Sequence, residues 1–133
     1  MSDKPAAIDS QIVQQFVGNA HGNFDAVKQA LEATPSLLNA AWDWGGGDWE
    51  TALGAAAHMG RRDIAMFLIE RGARIDIFAA AMLGWIGVVQ SIIENDPAAR
   101  EAKGPHGIPL LAHAAAGKEQ AQKVVEYLQQ ILA

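Results

Sequence analysis

The sequence contains no cysteine, so disulfides and thiolate metal sites are excluded. Charge is sparse as well. Only 19% of the 133 residues are charged, and no block of like charges forms a tail. Ten basic side chains against fifteen acidic ones leave a net charge of −5. Phosphate backbones are held by clustered Lys and Arg, so this balance argues against nucleic acid and, more weakly, against an anionic membrane surface. No run approaches the roughly 20 consecutive apolar residues of a membrane span. The segment from Met1 to Ser10, with Asp3, Lys4 and Pro5, lacks the apolar stretch of a secretion signal, and the expected location is cytoplasmic.

What is abundant is hydrophobic surface, at 50% of residues, enough for the core of one domain. It is arranged as a repeat. Four places join small residues to a glycine: Val17 to Gly22, Ala55 to Gly60, Ala79 to Gly84, and His113 to Gly117. An amphipathic run follows each glycine. Ile64, Ala65, Leu68 and Ile69 form one apolar stripe, and Val88, Val89, Ile92 and Ile93 form the next. Ala26, Val27, Ala30 and Leu31 repeat the pattern, as do Val124, Val125 and Leu128. Each unit reads as a short helix, a glycine turn and a longer helix. Alanine suits the short helices because small side chains let stacked units approach closely, and glycine suits a left-handed helix end. Pro35, Gly72 and Asp96-Pro97 stop the longer helices. A single pair cannot bury its apolar face, so the units must stack.

Asp48 to Asp76 resembles an ankyrin repeat through Thr51, Leu53, Ala56, Ala57, Gly60, Asp63, Ile64, Leu68, Ile69, Gly72 and Ala73. Ala52 and Gly54 stand where that family has proline and histidine, and Arg61 follows the turn glycine. Pro109 and Leu110 resemble the start of a last repeat. The resemblance extends over about residues 11–133 and implies an all-α, right-handed stack of about four helix pairs. The units are about 11–41, 42–74, 75–98 and 99–133, preceded by a flexible segment, 1–10. It further implies an interaction module, without naming a partner.

Successive turn glycines lie 38, 24 and 33 residues apart. In the ankyrin family a hairpin finger joins successive pairs, with a period of about 33. The long interval therefore implies an extended finger over Trp42 to Glu50, and the short one implies a deleted finger between Gly72 and Ala79. A notch should result. Its expected walls are the Trp-rich loop and the Lys103 to Gly107 loop, and its expected floor is Ile75 to Phe78.

Three tryptophans within eight residues, Trp42, Trp44 and Trp49, are either interface anchors or a private mini-core filling the notch. The resemblance puts Ala20-His21, His58-Met59, Met82-Leu83 and Ala115-Ala116 on the concave face, and an exposed apolar face marks a binding site. The candidate contact set is Trp42, Trp44, Trp49, Glu50, His58, Met59, Met82, Leu83 and His106. Trp85 and His113 read as packing residues. Gly45-Gly46-Gly47 lacks the Gly-Lys-Ser/Thr ending of a phosphate loop and reads as a sharp turn.

His21, His58, His106 and His113 show no i, i+4 pair and no flanking carboxylate in a ligand pattern, so no metal or cofactor is expected. No Ser beside a base marks a nucleophile, and the carboxylates Asp43 and Asp48 sit in a glycine loop that should orient them poorly. The expectation is therefore a non-enzymatic module that binds a protein or peptide, as a monomer or weak homodimer. The alternative is a small-molecule binder or atypical enzyme with an enclosed cavity of Trp44, Trp49, His58, Phe78, Met82 and His106.

Overall fold

The computed structural model describes residues 4–133. Positions 1–3 of the expected flexible segment lie outside the described residues. Eight helices follow in four pairs: α1 (Ser10–Asn19) with α2 (Phe24–Ala33), α3 (Ala52–His58) with α4 (Arg62–Glu70), α5 (Ile77–Leu83) with α6 (Ile86–Asn95), and α7 (Leu110–Ala116) with α8 (Gln122–Leu132). Asp9, Asn23, Thr51 and Asp76 cap α1, α2, α3 and α5 by accepting an amide N–H of the first turn. Pro35 and Pro97 open the short 3-10 turns that follow α2 and α6.

The first helices of the pairs form one row in which α1 packs on α3, α3 on α5 and α5 on α7, and each second helix packs on its own partner. Ala52, Ala55, Ala56, Ala57, Ala79, Ala80, Ala81 and Ala114 are all buried along this row. Phe16, Val27, Leu37, Ile64, Leu68 and Met82 fill one part of the core, and Leu110, Val89, Val124 and Leu128 fill another. Trp85 packs against both, which joins them.

The turns of successive units touch. Gly60 and Gly84 take the left-handed conformation expected of them, with φ of 66° and 79°. A Cβ on Gly84 would stand 2.0 Å from the Gln120 carbonyl oxygen, and one on Gly60 would stand 2.6 Å from that of Ala116. Gly22 and Gly117 depart from the expectation. Neither is among the positive-φ glycines, and Lys118 takes φ 54° instead at the last turn. Gly117 is small for a different reason: a Cβ there would lie 2.0 Å from the Met82 carbonyl oxygen.

The first long connection is a hairpin of β1 (Ala41–Asp43) and β2 (Trp49–Thr51), antiparallel, with Trp42 opposite Glu50 and Asp43 opposite Trp49. Alternation along a strand puts those two pairs on opposite faces. Trp42 packs against the core and Glu50 is buried, whereas Trp49 is 61% exposed. The chain between α4 and α5, residues 71–76, forms no strand. The last connection, 96–109, carries 3-10 turns and an isolated bridge between Lys103 and Pro109.

Candidate functional site

The organising residue is Glu50. Its side chain has no solvent exposure, and four other side chains converge on its two oxygens. Trp44 donates its indole N–H to Oε1 at 2.9 Å. His21 Nε2 lies 3.1 Å from Oε1, His58 Nε2 lies 2.9 Å from Oε2, and His106 Nε2 lies 3.5 Å from Oε2. The histidines come from three places in the chain: the turn after α1, the last residue of α3, and the last connection.

Two of these rings are held from behind. His21 Nδ1 donates to the Gly18 carbonyl at 3.0 Å, and His106 Nδ1 donates to the Asp48 carboxylate at 2.7 Å. Asp48 also accepts the His106 backbone N–H at 2.7 Å, which holds His106 at φ 61°. Both Asp48 and Asp43 are thereby oriented, contrary to the expectation for a glycine loop. Asp43 accepts the Gly45 and Gly47 amides, since the positive φ of Gly45, Gly46 and Gly47 wraps the loop around it. The His106 amide is the main reason that the Asp48 carboxyl lies below its usual value. Burial works to raise Glu50, but the His58 contact, the neighbouring His21 and the Trp44 indole outweigh it, so Glu50 also lies low.

His113 sits beneath this group, its ring 6.5 Å from that of His58 and 4.7 Å from Phe78. It donates from Nδ1 to the Pro109 carbonyl and is buried, as expected of a packing residue. Burial pushes its pKa down. Among the described residues Glu50 Oε2, His58 Nε2 and His113 Nε2 are buried without a hydrogen-bond partner. The close approach of His58 Nε2 to Glu50 Oε2 therefore lacks the alignment of a hydrogen bond.

The expected contact set divides. Trp49, Met59, His106 and, at 37%, Trp44 are exposed, while His58 is largely covered. Trp42 is packed against the core. Met82 and Leu83 are corrections: both are buried, because α5 lies between α3 and α7 and the turn at Gly117 covers its last residues. Glu50 is another, since a buried side chain committed to four neighbours does not face a partner. The sequence reading also missed that three histidines and Glu50 form one group. These residues have no ligand spacing within one helix because stacking brings them together from separate units.

Beside this group a groove of about 350 Å³ runs between the two fingers. Gly47, Asp48 and Trp49 line one side, Lys103, Gly104 and Pro105 the other, and Asp76 and Phe78 contribute from the start of α5. Of the six residues expected around an enclosed cavity, only Trp49 and Phe78 line it. A second groove, between α2 and α4, has Lys28 stacked over Phe24 and Arg71 over Phe67.

No helix among the described residues is long and apolar enough to cross a membrane. No curated protein and no solved structure matches the chain. Residues 48–80, from the finger through α3 and α4 into α5, match the ankyrin repeat family model. Ankyrin repeats generally serve as protein–protein interaction modules and typically as non-enzymatic scaffolds. The matched stretch holds the Thr51 cap, the buried alanines of α3 and the left-handed Gly60, and it is this stretch that is similar to an ankyrin repeat.

Proposed function

We propose that the protein is a binding module that recognises a protein partner through the groove beside its tryptophan finger. The observation that carries this reading is the contrast between the two faces of one short hairpin. Glu50 anchors the inner face, fully buried, and Trp49 stands 61% exposed on the outer one. A two-stranded hairpin is marginal by itself, so an exposed tryptophan on it would ordinarily be mobile. Here Trp42 packing and the Glu50 contacts fix the strand, which lowers the ordering cost of binding. Tryptophan offers a large apolar area with few rotatable bonds and is enriched among interface anchors.

The fitting partner is a protein segment that presents an apolar side chain between Trp49 and Phe78, with Asp48, Asp76 and Lys103 available to its polar groups. The net charge of −5 favours such a segment over nucleic acid. Affinity capture from a lysate of the source organism with wild type and Trp49→Ala tests the proposal, with matched circular dichroism for both. Loss of an anchor costs at least about 2 kcal/mol, roughly 30-fold in affinity. A specific partner depleted to that degree by Trp49→Ala is expected. Equal recovery by both proteins removes Trp49 and the groove from the binding site.

A further inference from the structure

We propose that His21, His58, His106 and Glu50 form a binding site for one divalent transition-metal ion, best suited to zinc. One ligand atom from each, a ring nitrogen of every histidine and a Glu50 carboxylate oxygen, all lie within 4.8 Å of one another. Zinc bonds of about 2.0–2.1 Å in a tetrahedron place the ligand atoms about 3.3 Å apart. Glu50 Oε2 lies 2.9 Å from His58 and 3.5 Å from His106, on either side of that value, while His21 stands 3.1 Å from the other oxygen, Oε1.

Donor and acceptor accounting supplies an independent reason. A carbonyl or a carboxylate only accepts, so the Gly18 and Asp48 contacts put a proton on Nδ1 of His21 and of His106. A ring carrying only that proton presents its Nε2 lone pair toward Glu50. Lone pairs facing a buried carboxylate at 3.1 and 3.5 Å are unfavourable unless something positive lies among them. Protons on all three rings are one answer, but the ring centroids are only 5.0 to 6.3 Å apart, so three charges would crowd together. One divalent cation gives the same attraction without that repulsion, and its two charges balance Glu50 and Asp48. The His58 pair points the same way. Its Nε2 and Glu50 Oε2 are buried, 2.9 Å apart and not hydrogen-bonded to each other, as two ligands of a common ion would be.

The arrangement also has the outer contacts that metal sites use. An Asp48–His106 pair and a carbonyl-bound His21 fix the rings with Nε2 forward. Trp44 holds Glu50 through Oε1. Side-chain exposures of 27% for His21 and 34% for His106 leave a path for the ion to enter. Three imidazoles and one carboxylate suit zinc and its neighbours in the transition series, whereas magnesium and calcium take oxygen ligands. Bound there, the ion ties the turn after α1, the finger and the last connection together, over residues that span 21 to 106. It thereby fixes both sides of the groove.

The test uses the full chain, produced without a histidine tag and stripped with a chelator. Zn²⁺ is added against a chromophoric competitor, and bound metal is measured after gel filtration. The expected result is one zinc per chain with a Kd below about 1 μM. Co²⁺ in place of zinc should give the visible absorption of a four-coordinate nitrogen–oxygen site. His21→Gln and His106→Gln, both at part-exposed rings, should each weaken binding at least 100-fold. His113→Gln should leave it unchanged, and Asp48→Asn should weaken it about 10- to 100-fold, as loss of an outer contact does. His58→Gln is a further ligand variant, but His21→Gln and His106→Gln decide the question if it does not fold. No stoichiometric zinc uptake by the wild type overturns the proposal, as does uptake that survives both His21→Gln and His106→Gln.

Discussion

His106 meets Asp48 twice, once from its backbone N–H and once from its ring, both at 2.7 Å. Fifty-eight positions separate the two along the chain, so this pair directly ties the tryptophan finger to the last connection. It also holds His106 in a left-handed conformation that non-glycine residues rarely adopt.

Removing that tie should loosen both fingers without unfolding the stack. Asp48→Ala leaves the buried alanine row untouched, since Asp48 is partly exposed and lies outside it. Amide hydrogen exchange should therefore speed up at 44–50 and 103–108, while the protected amides of α3, α5 and α7 keep their rates. Unchanged exchange at 103–108 would show that the bridge between Lys103 and Pro109 holds that connection without Asp48.

Much of the fold was legible because its rules are local or repeat in register. Alanine-rich segments marked the inner helices, glycines marked the turns, and Pro35 and Pro97 marked where the longer helices stop. The groove between the two long connections is lined by Trp49, Phe78 and Lys103. What escaped was what depends on three-dimensional neighbours. Met82 and Leu83 carry the sequence pattern of a concave surface, yet the turn at Gly117 covers them. Glu50 reads as one more finger residue until strand pairing sets it opposite Trp42 and turns it inward. His21 lies in the turn after α1 and His58 ends α3, and residues one repeat apart become neighbours when units stack. That register was the available signal, and a search for spacing within a single helix passes over it.

The turn glycines yield a prediction that separates backbone strain from steric conflict. Gly84 combines φ of 79° with a Cβ position 2.0 Å from the Gln120 carbonyl oxygen. Backbone cannot swing aside as a flexible side chain can, so Gly84→Ala should cost about 3–4 kcal/mol, with roughly 1–2 of that from conformation. Gly117→Ala meets the Met82 carbonyl oxygen at the same 2.0 Å but at an ordinary φ of −76°, and should cost about 2–3 kcal/mol. Gly46 has φ of 63° and open space around it, so Gly46→Ala should cost only about 1 kcal/mol. Urea denaturation of the three variants should give that order. Gly46→Ala as the most damaging would refute the stacked-turn account.

The buried His113 makes stability depend on pH in a definite direction. Its usual value is 6.5, and burial under Gly104 and Phe78 lowers it in the folded protein. The unfolded chain therefore binds a proton more readily than the folded one, and folding is favoured where His113 is neutral. Its contribution is fully present above about pH 6.5 and is lost as pH falls through that value toward the lower folded one. His113→Gln keeps a similar volume but has nothing to protonate in this range. Unfolding free energies measured at pH 7.5 and pH 5.5 should differ less in His113→Gln than in wild type. The variant is also expected to be less stable at pH 7.5, where it forgoes the neutral ring's fit and its bond to the Pro109 carbonyl. An equal drop between the two pH values in both proteins would show that His113 is not the source of the acid sensitivity.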